Sequence, residues 1–347
     1  MIDRSLDHRP PRFSFVRNIL ALVIVAAVSF LLAGCASLEG ESPPQPEDVP
    51  VSTEAQPSPT EASSPTPIPP TPTPPPPTPT PEPTPCTGDV CIYPGHFVLD
   101  RPIAPEHVDV IDPTYRYGST QGGERKTHHG VEFVNPQGTP VLAAADGRVI
   151  VAGLDNQIPY ADFPLFYGNL VIIAHDLPGQ DQPVFTLYGH LYEVQVEVDQ
   201  QVEAGDQIGL VGFTGAAIGE HLHFEVRVGE NSYRETRNPV LWLQLHTDGD
   251  GQPHGAIAGR ILNQYGNPVY IPTLTIERID PGEEAIYYVE SYADWTVNGD
   301  DVWGENFALA DLPAGTYRVS FVASGLQTYQ VDVLPGHVTV ITFQAGG

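Results

Sequence analysis

The stretch Gly219-Glu220-His221-Leu222-His223-Phe224-Glu225 decides the fold. Two histidines stand two residues apart with an apolar residue between them, and Phe224, Val226 and Val228 continue the alternation. A period of two predicts a half-buried strand. Side chains i and i+2 of a strand share a face, so His221 and His223 project side by side while Leu222 enters the core. Glu225 falls on the histidine face, placed to orient one of the rings. A His-x-His pair alone is common on protein surfaces, so its meaning depends on partners elsewhere.

Upstream lies Thr127-His128-His129-Gly130-Val131-Glu132-Phe133. A straight strand would set the Cα atoms of His128 and Glu132 roughly 13 Å apart, too far to grip one ion, so Gly130 is expected to bend the chain between them. Glutamate with two histidines is a common ligand set for catalytic zinc, with a fourth position left for water. Without other support, the same residues also read as a polar loop. Tyr188-Gly189-His190-Leu191 ends an apolar strand, where His190 either faces a groove or is a hydrogen-bonded structural residue. Tyr115 and Tyr117 either line that groove or pack, and His175 reads as structural or groove-edge. His96, His107, His129, His246, His254 and His337 have no partner pattern and read as surface residues.

Outward from these motifs the chain is uneven. Of 38 prolines, 19 fall in residues 43–85, so the folded part is shorter than the 347 residues suggest. The formal charge is −28 with a single lysine, Lys126. Such a chain has no basic patch for nucleic acid or for an anionic membrane surface. Residues 1–35 join a basic segment to an apolar run ending Leu32-Ala33-Gly34-Cys35, the pattern of a secretory signal. The ending resembles the lipobox of bacterial lipoproteins, which implies a lipid anchor on Cys35; an uncleaved membrane anchor is the alternative. Either places the rest of the chain outside the cytoplasm. Residues 36–92 read as a disordered Pro/Thr-rich linker that gives reach. Cys86 and Cys91, close together in an exported chain, are expected to form a small disulfide loop.

Residues 93–250 read as a strand-rich domain, with short apolar runs at Pro140–Ala144, Asn169–Ala174 and Phe185–Tyr188. Val196–Thr214, turning at Ala204-Gly205-Asp206, suggests a hairpin. Residues 255–347 carry further short alternating runs separated by turn signals, the pattern of a β-sandwich. Gly255–Arg260 and Leu312–Tyr317 resemble carboxypeptidase regulatory-like or transthyretin-like β-sandwich modules, which implies a spacer or binding role. The expected fold is mainly β: an antiparallel-sheet domain with an open groove, then a β-sandwich.

Taken together, His128-His129-Gly130-Val131-Glu132, Tyr188-Gly189-His190-Leu191 and Gly219–Glu225 resemble the three ordered motifs of the M23, lysostaphin-like family of zinc metallopeptidases. Connecting features match too: Gly138–Val141, Tyr167-Gly168-Asn169 and Val202–Gly209. The resemblance covers roughly residues 114–245. It implies zinc held by His128, Glu132 and His223, with His190 and His221 as unligated catalytic histidines. The family has Asp where this chain has Glu132, one methylene longer. The implied function is a zinc endopeptidase cutting peptide bonds in peptidoglycan at the cell envelope. The alternative is a non-catalytic peptidoglycan-binding or hydrolase-activating protein, since some family members have lost ligands.

Overall fold

The computed structural model describes residues 84–345. The expected signal segment, Cys35 and most of the expected linker lie outside the described residues. No helix among the described residues is long and apolar enough to cross a membrane. The fold is almost entirely β, and the described residues belong to one compact unit.

Strands β1 (Thr84–Thr87) and β2 (Val90–Pro94) form a hairpin, and a disulfide joins Cys86 to Cys91 across its turn. The hairpin falls inside the 36–92 segment read as linker. It is held in place by β2, which pairs antiparallel with the C-terminal strand.

Next come β3 (Val131–Phe133), β4 (Pro140–Leu142), β5 (Gly147–Leu154), β6 (Asn169–His175) and β7 (Val184–Leu191). Short β8 (Glu193–Val194), β9 (Gln201–Val202) and β10 (Gln207–Leu210) precede the central β11 (Leu222–Val228) and β12 (Thr236–Arg237). An antiparallel sheet runs in the order β12-β11-β7-β6-β5-β9, and β3 also pairs with β11. The expected Val196–Thr214 hairpin does not form. β9 joins the edge of β5 while β10 pairs with β4 and β8, so the Ala204–Asp206 turn hands the chain from one sheet to another.

The half-buried reading of β11 also needs correction: all seven of its residues are buried. Leu222, Phe224, Val226 and Val228 pack into the main core, as the alternation predicts. The opposite face is covered as well, by the polar network described below.

The rest of the chain supplies β13 (Gly255–Leu262), β14 (Leu274–Arg278), β15 (Ala285–Val289), β16 (Phe307–Leu312), β17 (Gly315–Ala323), β18 (Gly325–Val333) and β19 (His337–Gln344). They build two sheets, β1-β2-β19-β13-β16 and β15-β14-β17-β18. β13 and β19 run parallel, an exception among otherwise antiparallel pairs. Ile257, Ile261 and Ile341 face the four-stranded sheet across a shared apolar cluster. Ala256, Ala258, Val338 and Val340 face the other way, into the main core beside Leu99, Trp242 and Leu243. Small side chains at 256 and 258 let the two layers approach closely, so the change of sheet near residue 250 is not a break in packing.

Candidate metal centre

The antiparallel register of β3 on β11 sets Glu132 directly opposite His223. Opposed residues on neighbouring strands point to one face, so the carboxylate and the imidazole meet. His128, just before β3, arrives from the same side. Its Nε2 lies 2.9 Å from Glu132 Oε1 and 3.2 Å from His223 Nδ1, and that nitrogen lies 3.3 Å from Glu132 Oε1. All three side chains are buried. The chain bends at Gly130, as the sequence predicts, and the same glycine also leaves room. A Cβ on Gly130 would sit 2.5 Å from the Phe224 carbonyl and 2.9 Å from the His223 ring, so only glycine lets the chain pass that close.

Hydrogen bonds outside the cluster set what the cluster can hold. His128 Nδ1 lies 2.8 Å from the Tyr115 carbonyl and donates to it, which leaves Nε2 bare. His223 Nε2 lies 3.0 Å from Glu225 Oε1 and donates to it, which turns Nδ1 to Glu132 and His128, where it shares a proton with Glu132 until a cation displaces it. Without that proton, two imidazole lone pairs and a carboxylate oxygen converge, a set that repels itself unless positive charge sits among them. Glu132 Oε2 is buried without a well-aligned donor, although His221 Nε2 lies 2.6 Å away. This donor set fits a divalent cation of the zinc type. Among the described residues it is the one His/Cys/Asp/Glu group close enough to hold an ion.

Titration behaviour follows the same logic. Burial works against charge on Glu132, but the close rings of His128, His221 and His223 outweigh it and hold the carboxyl well below its usual range. Burial likewise opposes protonation of His223, yet Glu132 and Glu225 on its two sides lift it to about 9. The site attracts a cation.

Behind His223 stands a network the sequence showed only in part. Burial alone would raise the Glu225 pKa, but the Arg227 guanidinium, with bonds from His223 and Tyr167, holds it down at about 2. Arg227 is 0% exposed; its Nε donates to Glu225 Oε2 at 2.8 Å and its Nη2 to the Tyr167 hydroxyl at 3.1 Å. The Tyr167 hydroxyl also donates to Glu225. Arg227 follows Glu225 at i+2 on the same face, a visible signal. Tyr167 had none beyond its place in a connecting motif.

His190 and His221 stand beside the cluster with ring centroids 4.9 Å apart. His190 sits in a bulge: Val171 opposes Tyr188 and Asn169 opposes Leu191, so two residues of β7 face one of β6. The φ of His190 is +63°, in the left-handed region. Bulges of this kind re-aim a side chain, and here the ring turns toward the cluster. Its Nδ1 donates to the Thr214 carbonyl at 2.8 Å, leaving Nε2 free. Burial, with like charge on His223 and His221, pushes its pKa down to about 3, so it is neutral at neutral pH. His221 has Gly219 O at 3.1 Å from Nδ1 and Glu132 Oε2 at 2.6 Å from Nε2.

The cluster opens into a cleft of about 250 Å³ whose walls include Tyr115, Phe163, Phe166, Ile218 and Tyr233. Tyr115 stacks on His128 with centroids 4.0 Å apart. Tyr117 is not in the wall; it is buried against Tyr292 and bonds Thr236. Several histidines read as surface residues are not. His129 is buried, stacked on Tyr233 at 3.7 Å. His96 lies between Trp242 and Trp303, and His246 between Asp109 and Asp311. His254 and His337 are half-buried on backbone carbonyls. His175 is structural, bonded to Asp146 O and Thr186.

The five residues brought together (128, 132, 190, 221 and 223) all fall inside one segment with known relatives. Residues 126–235 match the model of peptidase family M23. The chain aligns with the cell division protein DipM of Caulobacter vibrioides at 35% identity over 146 residues, 38% of this chain and 22% of that protein. It aligns with the peptidoglycan DD-endopeptidase ShyB of Vibrio cholerae at 40% over 101 residues, 29% of this chain and 20% of that one. The chain spans about a fifth of the length of these curated relatives. Among solved structures, the catalytic domain of lysostaphin from Staphylococcus simulans is 31% identical, covering 36% of this chain and 86% of that one, with a TM-score of 0.29.

Proposed function

We propose that this chain is a zinc-dependent endopeptidase that hydrolyses peptide bonds in cell-wall peptidoglycan. The observation that carries the reading is the convergence of His128 Nε2, Glu132 Oε1 and His223 Nδ1, with their other polar atoms already engaged, at the floor of a cleft flanked by two further histidines. The M23 match and the peptidoglycan endopeptidases among the relatives support peptidoglycan as the substrate. Zinc on those three atoms would supply an acidified water and a Lewis acid for the scissile carbonyl. His190, neutral and with Nε2 free, takes the proton of the attacking water. His221 Nε2, now 2.6 Å from Glu132 Oε2, would turn from that oxygen once zinc holds Glu132 and donate a hydrogen bond to the developing oxyanion. Tyr115 and Tyr233 align the peptide along the cleft. Glu132 in place of Asp reaches one methylene further into the cluster, where His128 and His223 meet it.

The same proposal makes residues 1–35 a lipoprotein signal anchoring the chain through Cys35, and residues 36–83 the tether that gives the enzyme reach within the envelope. Residues 255–347 would then be a carboxypeptidase regulatory-like module. A second reading, a non-hydrolytic envelope protein, is favoured by one relative being named for cell division rather than for an activity. Metal and turnover separate the two. The wild-type protein should purify with about one zinc per chain and release fragments from purified peptidoglycan whose masses identify the bond cut. His223→Ala should lose both zinc and turnover. Zinc-loaded wild type that binds peptidoglycan but never cuts it favours the second reading.

A further inference from the structure

Arg125 stands apart in a strongly acidic chain. Eleven basic side chains lie among the described residues, and seven are within ion-pair distance of a carboxylate. Of the other four, Arg116 is largely buried, Arg260 bonds Thr342 and Arg234 lies over Trp295 beside a separate hollow. Arg125 alone is at the mouth of the candidate active cleft, exposed, with no ion-pair partner among the described residues.

It is also held in place. Its guanidinium carbon lies 4.9 Å from the Tyr115 ring centroid, and Tyr115 in turn stacks on His128. The Tyr115 hydroxyl donates to the Lys126 carbonyl at 2.7 Å, and the Arg125 backbone N–H to Thr120 O at 3.0 Å. The cation therefore rests one aromatic ring away from a candidate metal ligand, pre-oriented by that ring's face. It borders the cleft and two neighbouring hollows that share walls with it. The acids around it are mostly engaged elsewhere: Asp162 with Lys126, Asp294 with Thr127 and Thr296, Asp112 with Thr114. Glu220 lines the hollow on the His221 side without reaching it.

We propose that Arg125 binds a free carboxylate of the substrate, so that the preferred peptide is acidic next to the bond cut. The proposal rests on the peptidase reading of the cleft. A guanidinium offers a planar fork of donors that matches a carboxylate in two parallel hydrogen bonds, and such charge-assisted pairs select strongly against an analogue lacking the charge. A lysine at the same place would offer a point charge without the fork.

The test uses soluble peptides freed from peptidoglycan by digestion of its glycan strands, and the same peptides with their carboxylates converted to carboxamides. Zinc-loaded wild type should cleave the acid form with a kcat/KM about tenfold higher. Arg125→Gln should bring that ratio near one, and Arg125→Lys should fall between. A ratio unchanged in Arg125→Gln, or near one in wild type, overturns the proposal. Binding is measured in parallel on chelator-treated protein, where no cleavage occurs. Wild type should hold the acid form more tightly and Arg125→Gln should not; equal affinities overturn the proposal. Acid-selective binding without any cleavage by the zinc-loaded protein would sink the peptidase reading and leave the carboxylate assignment standing.

Discussion

β11 and β13 are both central strands buried on both faces, and they use that burial in opposite ways. β13 sends Ile257 and Ile261 into one apolar cluster and Ala256 and Ala258 into another. β11 sends Leu222, Phe224, Val226 and Val228 into a core, and His223, Glu225 and Arg227 into a buried polar network. Desolvating three ionisable groups is costly unless each is paired. The pairing along β11 is complete except where His223 Nδ1 meets His128 and Glu132. An apolar second face joins two layers; a polar one holds a site.

The largest effect expected is on the face the two strands have in common. Phe224 is 0% exposed and packs against Phe133 and Tyr188. Phe224→Ala should cost about 3–5 kcal/mol of unfolding free energy in denaturant titration. A loss below ~1 kcal/mol would mean that this side of β11 is not the core it resembles.

The next effect sharpens the contrast on the polar face. Glu225→Gln keeps the shape but removes the charge that orients His223 and balances Arg227. Metal affinity, measured by competition with a chromogenic chelator, should fall about 10–100-fold. An unchanged affinity would reduce Glu225 to a fold-stabilising ion partner.

The smallest effect concerns a polar exception beside β13. Glu305, just before β16, is 1% exposed, accepts from Tyr292 and the Asp300 backbone, and is pushed up to about 8 by burial and by Asp300. Its folded pKa is raised above the ordinary value, so the folded protein holds an extra proton between the two. Stability from this group is present at low pH and is lost as pH rises through about 8. The melting temperature should drop by a few degrees, on the order of the shift one kcal/mol produces, between pH 6 and pH 9. Glu305→Gln should flatten that part of the profile. A parallel profile in the variant would assign the pH dependence to the chain's net negative charge instead.

Much of this contrast was legible in the sequence. Alternation placed Leu222 in the core and the two histidines on one face, and the motif spacing named the residues that meet. The sequence was silent where backbone atoms do the work. The Tyr115 and Thr214 carbonyls fix ring protons, yet a carbonyl has no residue signature. The bulge that aims His190 is a mismatch of register between β6 and β7, invisible in either strand alone. His129 and His96 were misread because their aromatic neighbours, Tyr233, Trp242 and Trp303, lie more than a hundred residues away. The second face of β11 passed for a solvent face because a buried ion network has the same composition.

The alanines at 256 and 258 have a consequence for anyone who would trim this protein. A chain ended near residue 250 would keep every residue of the cleft, but it would lose the layer that covers Leu99, Trp242 and Leu243 and leave their apolar surface bare to water. The half that carries the cleft borrows its cover from the other half, so a soluble minimal fragment has to carry replacement polar side chains at those three positions.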